Sequence, residues 1–238
     1  MNLTANALLA LGASPVMAHA PEEVDEMAGL SAALVLNIGT LSTTWVTAML
    51  RAGNAARRKG IPIILDPVGA GATRYRTETA RRLMRDLRPA VIRGNASEIR
   101  ALATAEAGTK GVDSRHAPED ALESARGLSS EFGSAVSVSG PTDIIVQGEA
   151  VIRTANGHPL MPRVTGLGCV ATALTGAFAA INPSPLLAAA HAMAVMGIAG
   201  EIAGTGAAGP ASFEIRFLDA LYGLSETDIS SRLKMESA

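Results

Sequence analysis

The stretch Ile61 to Gly71, IPIILDPVGAG, decides the fold class of this 238-residue chain. Its apolar part, residues 61–65, predicts a short strand, and the lack of polar alternation indicates burial on both faces. An acid, Asp66, and a glycine-containing loop follow at once. Such a strand is typical of a parallel sheet covered by helices on both faces, in which ligands bind at the carboxyl edge.

The same alternation of strand and helix continues on both sides of this stretch. The apolar and helical periodicities predict a strand at Ala33–Ile38, a helix at Thr43–Lys59, a helix around Thr77–Leu87, a strand at Ala90–Ile92 and a helix from about Asn95. We therefore expect an α/β fold with a mainly parallel central sheet.

The carboxyl-terminal half predicts an antiparallel edge to this sheet. Short apolar runs indicate strands at Ala135–Val138, Asp143–Gln147 and Ala150–Arg153, the last two joined by a hairpin turn at Gly148-Glu149. The other predicted elements of this half are a surface loop at Gly108–Glu119, a helix at Pro118–Phe132 and a polar final helix at Ser225–Ala238. We expect residues 1–238 to form one domain.

Composition excludes several classes of function. The formal charge of -2 gives no attraction for nucleic acid or an anionic membrane, and aromatic residues make up only 3% of the chain. A single cysteine, Cys169, excludes an internal disulfide, and the four histidines lack the spacing of a zinc site. These features fit a reducing, cytoplasmic compartment and a small-molecule ligand.

Two apolar segments imitate targeting signals. Met1–Ala20 resembles a signal peptide, but no Lys or Arg precedes its apolar part, so a short helix closed by Gly12 is the better interpretation. Val164–Gly200 contains no charged residue, yet Asn182–Pro185 divides it and its Ala and Gly content suits close packing. We expect two buried helices there rather than a membrane span.

Two candidate groups follow predicted strands directly. Asp66 and its loop are typical either of an anion site or of a turn capped by the acid. Arg93 suits a phosphate contact, while Glu98 has the chemistry to hold Mg²⁺ through water. The spacing of Asn95 and Glu98 fits a helix capping box equally well.

The third group, Thr165-Gly-Leu-Gly-Cys169, opens the charge-free helical region. Glycines before a helix amino terminus expose unpaired amides, which are favourable for phosphate charge. Cys169 is either an inert core thiol or a reactive group, and a position at a helix start predicts a lowered thiol pKa.

Five ordered motifs together resemble the hydroxyethylthiazole kinase family of thiamine salvage. They are Asn2–Asn6 with Gly12–Met17, Asn37–Leu41, Asp66–Thr73, Arg93–Ile99 and Gly209–Phe213. The resemblance extends from Met1 to about Leu224. It implies a ribokinase-like fold and transfer of the γ-phosphoryl group of ATP to the primary hydroxyl of 4-methyl-5-(2-hydroxyethyl)thiazole.

The resemblance also implies roles for individual residues. Met17, Gly39, Thr40 and Gly166 would border the thiazole. Arg93, Ser139 and Gly168 would contact ATP, Asp66 and Glu98 would organise Mg²⁺, and Cys169 would be the catalytic residue, where related kinases carry an aspartate base. The family is also trimeric, with active sites between subunits.

Two departures from the family pattern stand out. The family's first helix and strand would precede the segment that begins at Met1 and are expected to be missing from this chain, and Leu167 replaces a threonine beside the predicted anion site. Three alternatives stay open: a dehydratase of hydrated nicotinamide nucleotides, a hydroxymethylpyrimidine kinase, and a truncated, non-catalytic binding protein. Cys169 disfavours the first two, which generally carry Asp at that position.

Overall fold

The computed structural model describes residues 1–104 and 118–237. The elements in chain order are α1 (Asn2–Ala10), α2 (Val24–Leu30), β1 (Leu34–Asn37), α3 (Thr43–Lys59), β2 (Ile63–Asp66), α4 (Arg74–Leu87), β3 (Val91–Asn95), α5 (Ala96–Thr104), α6 (Pro118–Phe132), β4 (Ala135–Ser139), β5 (Asp143–Gln147), β6 (Ala150–Thr154), α7 (Leu167–Ala179), α8 (Pro185–Gly204), α9 (Pro210–Tyr222), α10 (Glu226–Arg232) and β7 (Met235–Ser237). The predicted loop at Gly108–Glu119 lies outside the described residues up to position 117.

The strands form one sheet in chain order, from β1 to β7. Strands β1 to β4 are parallel, and β4 to β7 are antiparallel, which confirms the predicted mixed α/β sheet. In the parallel part, Asn37 lies opposite Asp66 across the β1–β2 pair. The register therefore brings polar strand ends together at one edge, as expected for a ligand site.

Local signals set the helix limits beside this edge. The Ser42 hydroxyl accepts the Trp45 amide (3.2 Å) where α3 begins, and Gly60 ends α3 with a φ of 78°. Thr73 caps α4 in the same way, so this helix begins at Arg74, three residues before the predicted start. Both helices consequently begin just after the loops that follow β1 and β2.

Helices cover both faces of the sheet. Helices α1, α7, α8 and α9 enclose one apolar cluster with the sheet, and α3 to α6 enclose the other. Helix α8 is long and apolar enough to cross a membrane, but 72% of its most apolar window is buried inside the molecule. The predicted pair of buried helices is thus confirmed, with α8 as a core helix.

Three parts of the chain differ from the prediction. Neither α2 nor α9 was predicted from the sequence, and the tail at Ser225–Ala238 is not one helix, because α10 ends at Arg232 and β7 follows. Asn156 causes the change: its Nδ2 donates to the Arg232 carbonyl (2.8 Å) and its Oδ1 accepts the Lys234 amide (2.9 Å). These bonds replace helical ones and direct the chain along β6.

The close approach of α8 to residue 156 generates the first prediction. A Cβ on Gly197 would lie 2.6 Å from the backbone oxygen of Asn156, and backbone cannot move aside as a flexible side chain can. We expect Gly197→Ala to lower the free energy of unfolding by about 1–3 kcal/mol in urea titrations. The matched control is Gly127→Ala in α6, where no atom of the described residues beyond the local helix lies within 4 Å, and this change should be neutral or mildly stabilising.

Candidate functional site

The site is built around the carboxylate of Asp66 at the end of β2. This side chain is 2% exposed, and its Oδ2 accepts hydrogen bonds from Asn37 Nδ2 and Thr172 Oγ1, both 2.8 Å long. Asn37 ends β1 and Thr172 lies in the second turn of α7. This buried oxygen of Asp66 thus connects β1 and β2 to α7, which lies about a hundred residues later in the chain.

Cys169 lies in the first turn of α7 beside this carboxylate. Asn37 Nδ2 donates to its Sγ as well (3.2 Å), so a single amide bridges the acid and the thiol. Burial and the negative charge of Asp66 raise the pKa of the thiol, although the Asn37 bond and Arg93 act in the opposite direction. The predicted lowering of the thiol pKa is therefore wrong, because desolvation and the neighbouring Asp66 outweigh the groups that lower it.

Arg93 extends from β3 to the same helix. Its Nη1 donates to the Gly168 carbonyl (3.0 Å), and a Cβ on Gly168 would lie only 3.0 Å from that nitrogen. Its Nε is buried and bonds to no described residue, although buried donors are nearly always paired. The side chain is thus fixed by one contact and retains a donor suited to an oxyanion.

Glu98 performs the capping role that the sequence predicted. Its Oε2 accepts the Asn95 amide (2.8 Å) while Asn95 Oδ1 accepts the Glu98 amide (2.9 Å), which forms a capping box. Its Oε1 accepts the Gly69 amide (2.8 Å), so the same carboxylate also holds the loop after β2. Each oxygen retains a lone pair, so capping does not prevent contact with a metal-bound water.

Of the other predicted site residues, some lie at this hydrogen-bonded cluster and others lie outside it. Gly39 lies at the cluster, because its amide donates to Asn37 Oδ1 (2.8 Å), and Thr40 follows it in an exposed turn. Gly166 caps α7 with a φ of 93°. Ser139 ends β4, next to the end of β3, and its hydroxyl donates to the Gly94 carbonyl (3.4 Å). Met17 is not part of this hydrogen-bonded cluster and is 43% exposed.

Four residues in or beside the site were not singled out from the sequence: Asn37, Arg76, Asp143 and Thr172. A polar residue that ends an apolar strand was a usable signal for Asn37, as it was for Asp66. Arg76 donates three hydrogen bonds to the loops that follow β1 and β2. Asp143, at the start of β5, is buried and accepts the Gly140 amide (3.0 Å), which fixes the turn after Ser139.

Burial of the two acids predicts a pH dependence of stability. Desolvation raises the pKa of Asp66 from 3.8 to about 6, with Arg93 and the hydrogen bonds opposing it, and the pKa of Asp143 also rises to about 6. The native protein therefore binds more protons than the unfolded chain between about pH 4 and 6. Its free energy of unfolding should fall as pH rises through this window, by at most about 3 kcal/mol for each acid.

Urea titrations from pH 4 to 7 test this expectation. Asp66→Asn should remove about half of the decrease, because Asp143 still titrates. Asp219→Asn, at an exposed carboxyl on α9, is the matched control and should leave the decrease unchanged. Equal pH profiles for wild type and Asp66→Asn would contradict the argument.

Solved structures share this fold. Pyridoxal kinase from Staphylococcus aureus in complex with pyridoxal superposes with a TM-score of 0.67 at 16% identity, over 100% of this chain and 92% of that one. At this identity the likeness concerns the fold alone. A hydroxyethylthiazole kinase protein from Pyrococcus horikoshii OT3 superposes with a TM-score of 0.93 at 43% identity, over 100% of this chain and 89% of that chain.

Sequence comparison agrees with the structural likeness. The hydroxyethylthiazole kinase of Syntrophus aciditrophicus is 59% identical over 236 residues, which are 99% of this chain and 87% of the relative. That of Nitratidesulfovibrio vulgaris is 54% identical over 99% of this chain and 88% of the relative. The sequence model of the hydroxyethylthiazole kinase family matches residues 1–227. This chain belongs to the hydroxyethylthiazole kinase family.

Proposed function

We propose that this protein transfers the γ-phosphoryl group of ATP to the primary hydroxyl of 4-methyl-5-(2-hydroxyethyl)thiazole, as a kinase of thiamine salvage. Family membership and relatives with that printed name support the activity. The observation that carries the proposal is the meeting of Asp66, Cys169 and Arg93 at the amino terminus of α7. The cluster combines an acid, a thiol and phosphate-binding donors at one edge of the sheet.

Arg93 and the first turn of α7 provide the donors for phosphate. Phosphoryl transfer has a loose transition state whose charge spreads over the equatorial oxygens, so positioned donors dominate catalysis. We assign ATP contacts to Arg93, Gly168 and Ser139. The unpaired Nε of Arg93 and the glycine geometry before α7 support this assignment, because both present hydrogen-bond donors without a competing acceptor.

Asp66 and Glu98 fit a Mg²⁺ ion that retains most of its water. Both are oxygen donors, and the pKa of Asp66 is raised by Glu98 as well as by burial, so the two charges act on each other. The described residues contain no group of three Asp, Glu, His or Cys side chains placed to hold a metal ion together, but Mg²⁺ is usually bound by only one or two carboxylates with water and phosphates. When bound, the metal neutralises phosphate charge.

Cys169 receives the proton of the attacking hydroxyl in this proposal. A raised thiol pKa makes the thiolate a minor species at neutral pH, yet Asn37 donates to Sγ and so favours the charged form. A weak base is sufficient, because strong deprotonation of the alcohol contributes little when the transition state is loose. General-base assistance is typically worth about 10²–10⁴-fold in rate.

Met17, Gly39, Thr40 and Gly166 border the thiazole in this proposal, and a homotrimer completes the pocket from a neighbouring subunit. Val16 and Met17 are adjacent and both exposed, at 55% and 43%, which supports a subunit contact there, since contiguous exposed apolar surface marks interaction sites. We further propose a cytoplasmic enzyme that binds neither nucleic acid nor membrane, in line with its formal charge of -2.

Product analysis tests the activity directly. The purified protein should convert hydroxyethylthiazole and MgATP to the thiazole monophosphate and ADP, as detected by mass spectrometry. Cys169→Ser should reduce turnover by about 10²–10⁴-fold with an unchanged melting temperature. Cys169→Asp should retain or raise turnover, because the ordinary pKa of an aspartate lies several units below that of a thiol, so that its carboxylate is ionised at neutral pH even beside Asp66. Full activity of Cys169→Ser beside a destabilised, inactive Cys169→Asp would make the thiol structural.

The metal assignment predicts a change in Mg²⁺ dependence. Asp66→Asn and Glu98→Gln should each increase the Mg²⁺ concentration needed for half-maximal turnover, at saturating ATP, by about tenfold, because a neutral amide is a poorer ligand for the ion or its water. Asp143→Asn is the matched control, since it removes another buried acid that is not assigned to the metal. Unchanged Mg²⁺ curves for the first two variants would leave these acids as turn and cap residues.

A further inference from the structure

Arg76, in the first turn of α4, binds three backbone carbonyls from two loops. Its Nη1 donates to the carbonyls of Ile38 (2.9 Å) and Val68 (2.7 Å), and its Nη2 donates to that of Gly39 (3.0 Å). Within the described part of the chain, these carbonyls accept from no other donor. A planar guanidinium with several divergent N–H groups suits such a set of acceptors, which a single ammonium does not match.

Gly69, the third residue of the loop after β2, leaves space for the Arg76 side chain. A Cβ on Gly69 would lie 3.1 Å from Arg76 Cδ, and the φ of Gly69 is 75°, a conformation that L residues rarely adopt. The glycine therefore allows the arginine stem to pass beneath the loop after β2. This contact connects the loop held by Glu98 to the loop that contains Gly39.

The direction of these carbonyls also determines the direction of the N–H groups in the same peptide units. In a trans peptide the C=O and N–H are antiparallel, and the described chain has no cis peptide bond. The three peptide groups whose carbonyls meet Arg76 therefore direct the N–H groups of Gly39, Thr40 and Gly69 away from it. Two of these reach site residues, since Gly39 donates to Asn37 Oδ1 and Gly69 donates to Glu98 Oε1, each at 2.8 Å.

The remaining amide, that of Thr40, donates to no described residue. It belongs to the exposed turn after β1, which the proposed function assigns to the thiazole. We infer that Arg76 is a positioning residue for the acceptor substrate: by holding the carbonyls of Ile38, Gly39 and Val68, it directs the Thr40 amide toward a hydrogen-bond acceptor of the bound thiazole. This inference rests on the proposed function.

The inference predicts a selective loss of substrate binding. Arg76→Met keeps an apolar stem but deletes the guanidinium, so the dissociation constant for hydroxyethylthiazole, measured calorimetrically without ATP, should rise about tenfold, the typical effect of one hydrogen bond. The KM for ATP should change by less than about twofold. Arg74→Met, on the exposed neighbour that pairs with Glu78, is the matched control and should change neither constant.

Two further variants keep the test decisive. Arg76→Lys retains a positive donor group without the planar guanidinium and should restore part of the affinity. It replaces Arg76→Met as the deciding variant if thermal melting shows that the latter does not fold. Thr40→Pro removes the amide hydrogen itself and should weaken thiazole binding to a similar extent. Combined with Arg76→Met, it should add little, because both changes act through one hydrogen bond.

The outcomes separate the inference from the proposed function. Wild-type binding and phosphorylation of the thiazole, together with wild-type affinity in folded Arg76 variants, would overturn the inference alone. An equal loss of ATP and thiazole affinity would also overturn it, because Arg76 would then support the whole site. A wild-type protein that neither binds nor phosphorylates the thiazole would overturn both.

Discussion

The burial of one carboxylate, that of Asp66, constrains the rest of the site. A charge removed from water is unstable unless donors surround it, and here Asn37 and Thr172 donate to a single oxygen while Arg93 supplies a compensating positive charge. Each of these donors belongs to a different element. The carboxylate therefore constrains how β1, β3 and α7 are placed around the end of β2, because moving any of them would remove one of the groups that stabilise the charge.

This constraint also explains why α7 lies so close to the sheet. A Cβ on Gly176 would lie 2.8 Å from Val35 Cγ2, and Gly168 leaves room for the Arg93 guanidinium. Glycines on the sheet-facing side permit this approach, which Thr172 requires in order to reach Asp66. The small-residue composition of the charge-free region therefore has a role at the candidate site as well as in the core.

Local sequence signals made much of the fold predictable, whereas the long-range contacts at the site left no such signal in the sequence. Continuous apolar runs such as residues 61–65 indicated the parallel strands, and the Asn95–Glu98 spacing indicated the cap that the structure contains. By contrast, the bond between Asn37 and Cys169 joins residues 132 positions apart. The raised thiol pKa follows from burial and from the nearby charge of Asp66, which outweigh that bond, so position at a helix start alone indicated the wrong direction.

The tail shows the same limit and has a separate consequence. Nothing local to residues 233–237 distinguishes a strand from the end of a helix; the partner, Asn156, is 78 positions from Lys234. An uncovered strand edge presents unpaired N–H and C=O groups that can recruit another chain and begin aggregation. Strand β7 pairs with that edge of β6 and is itself only three residues long. The short strand thus makes intermolecular strand pairing at this side of the sheet less favourable and helps to keep the folded protein in solution.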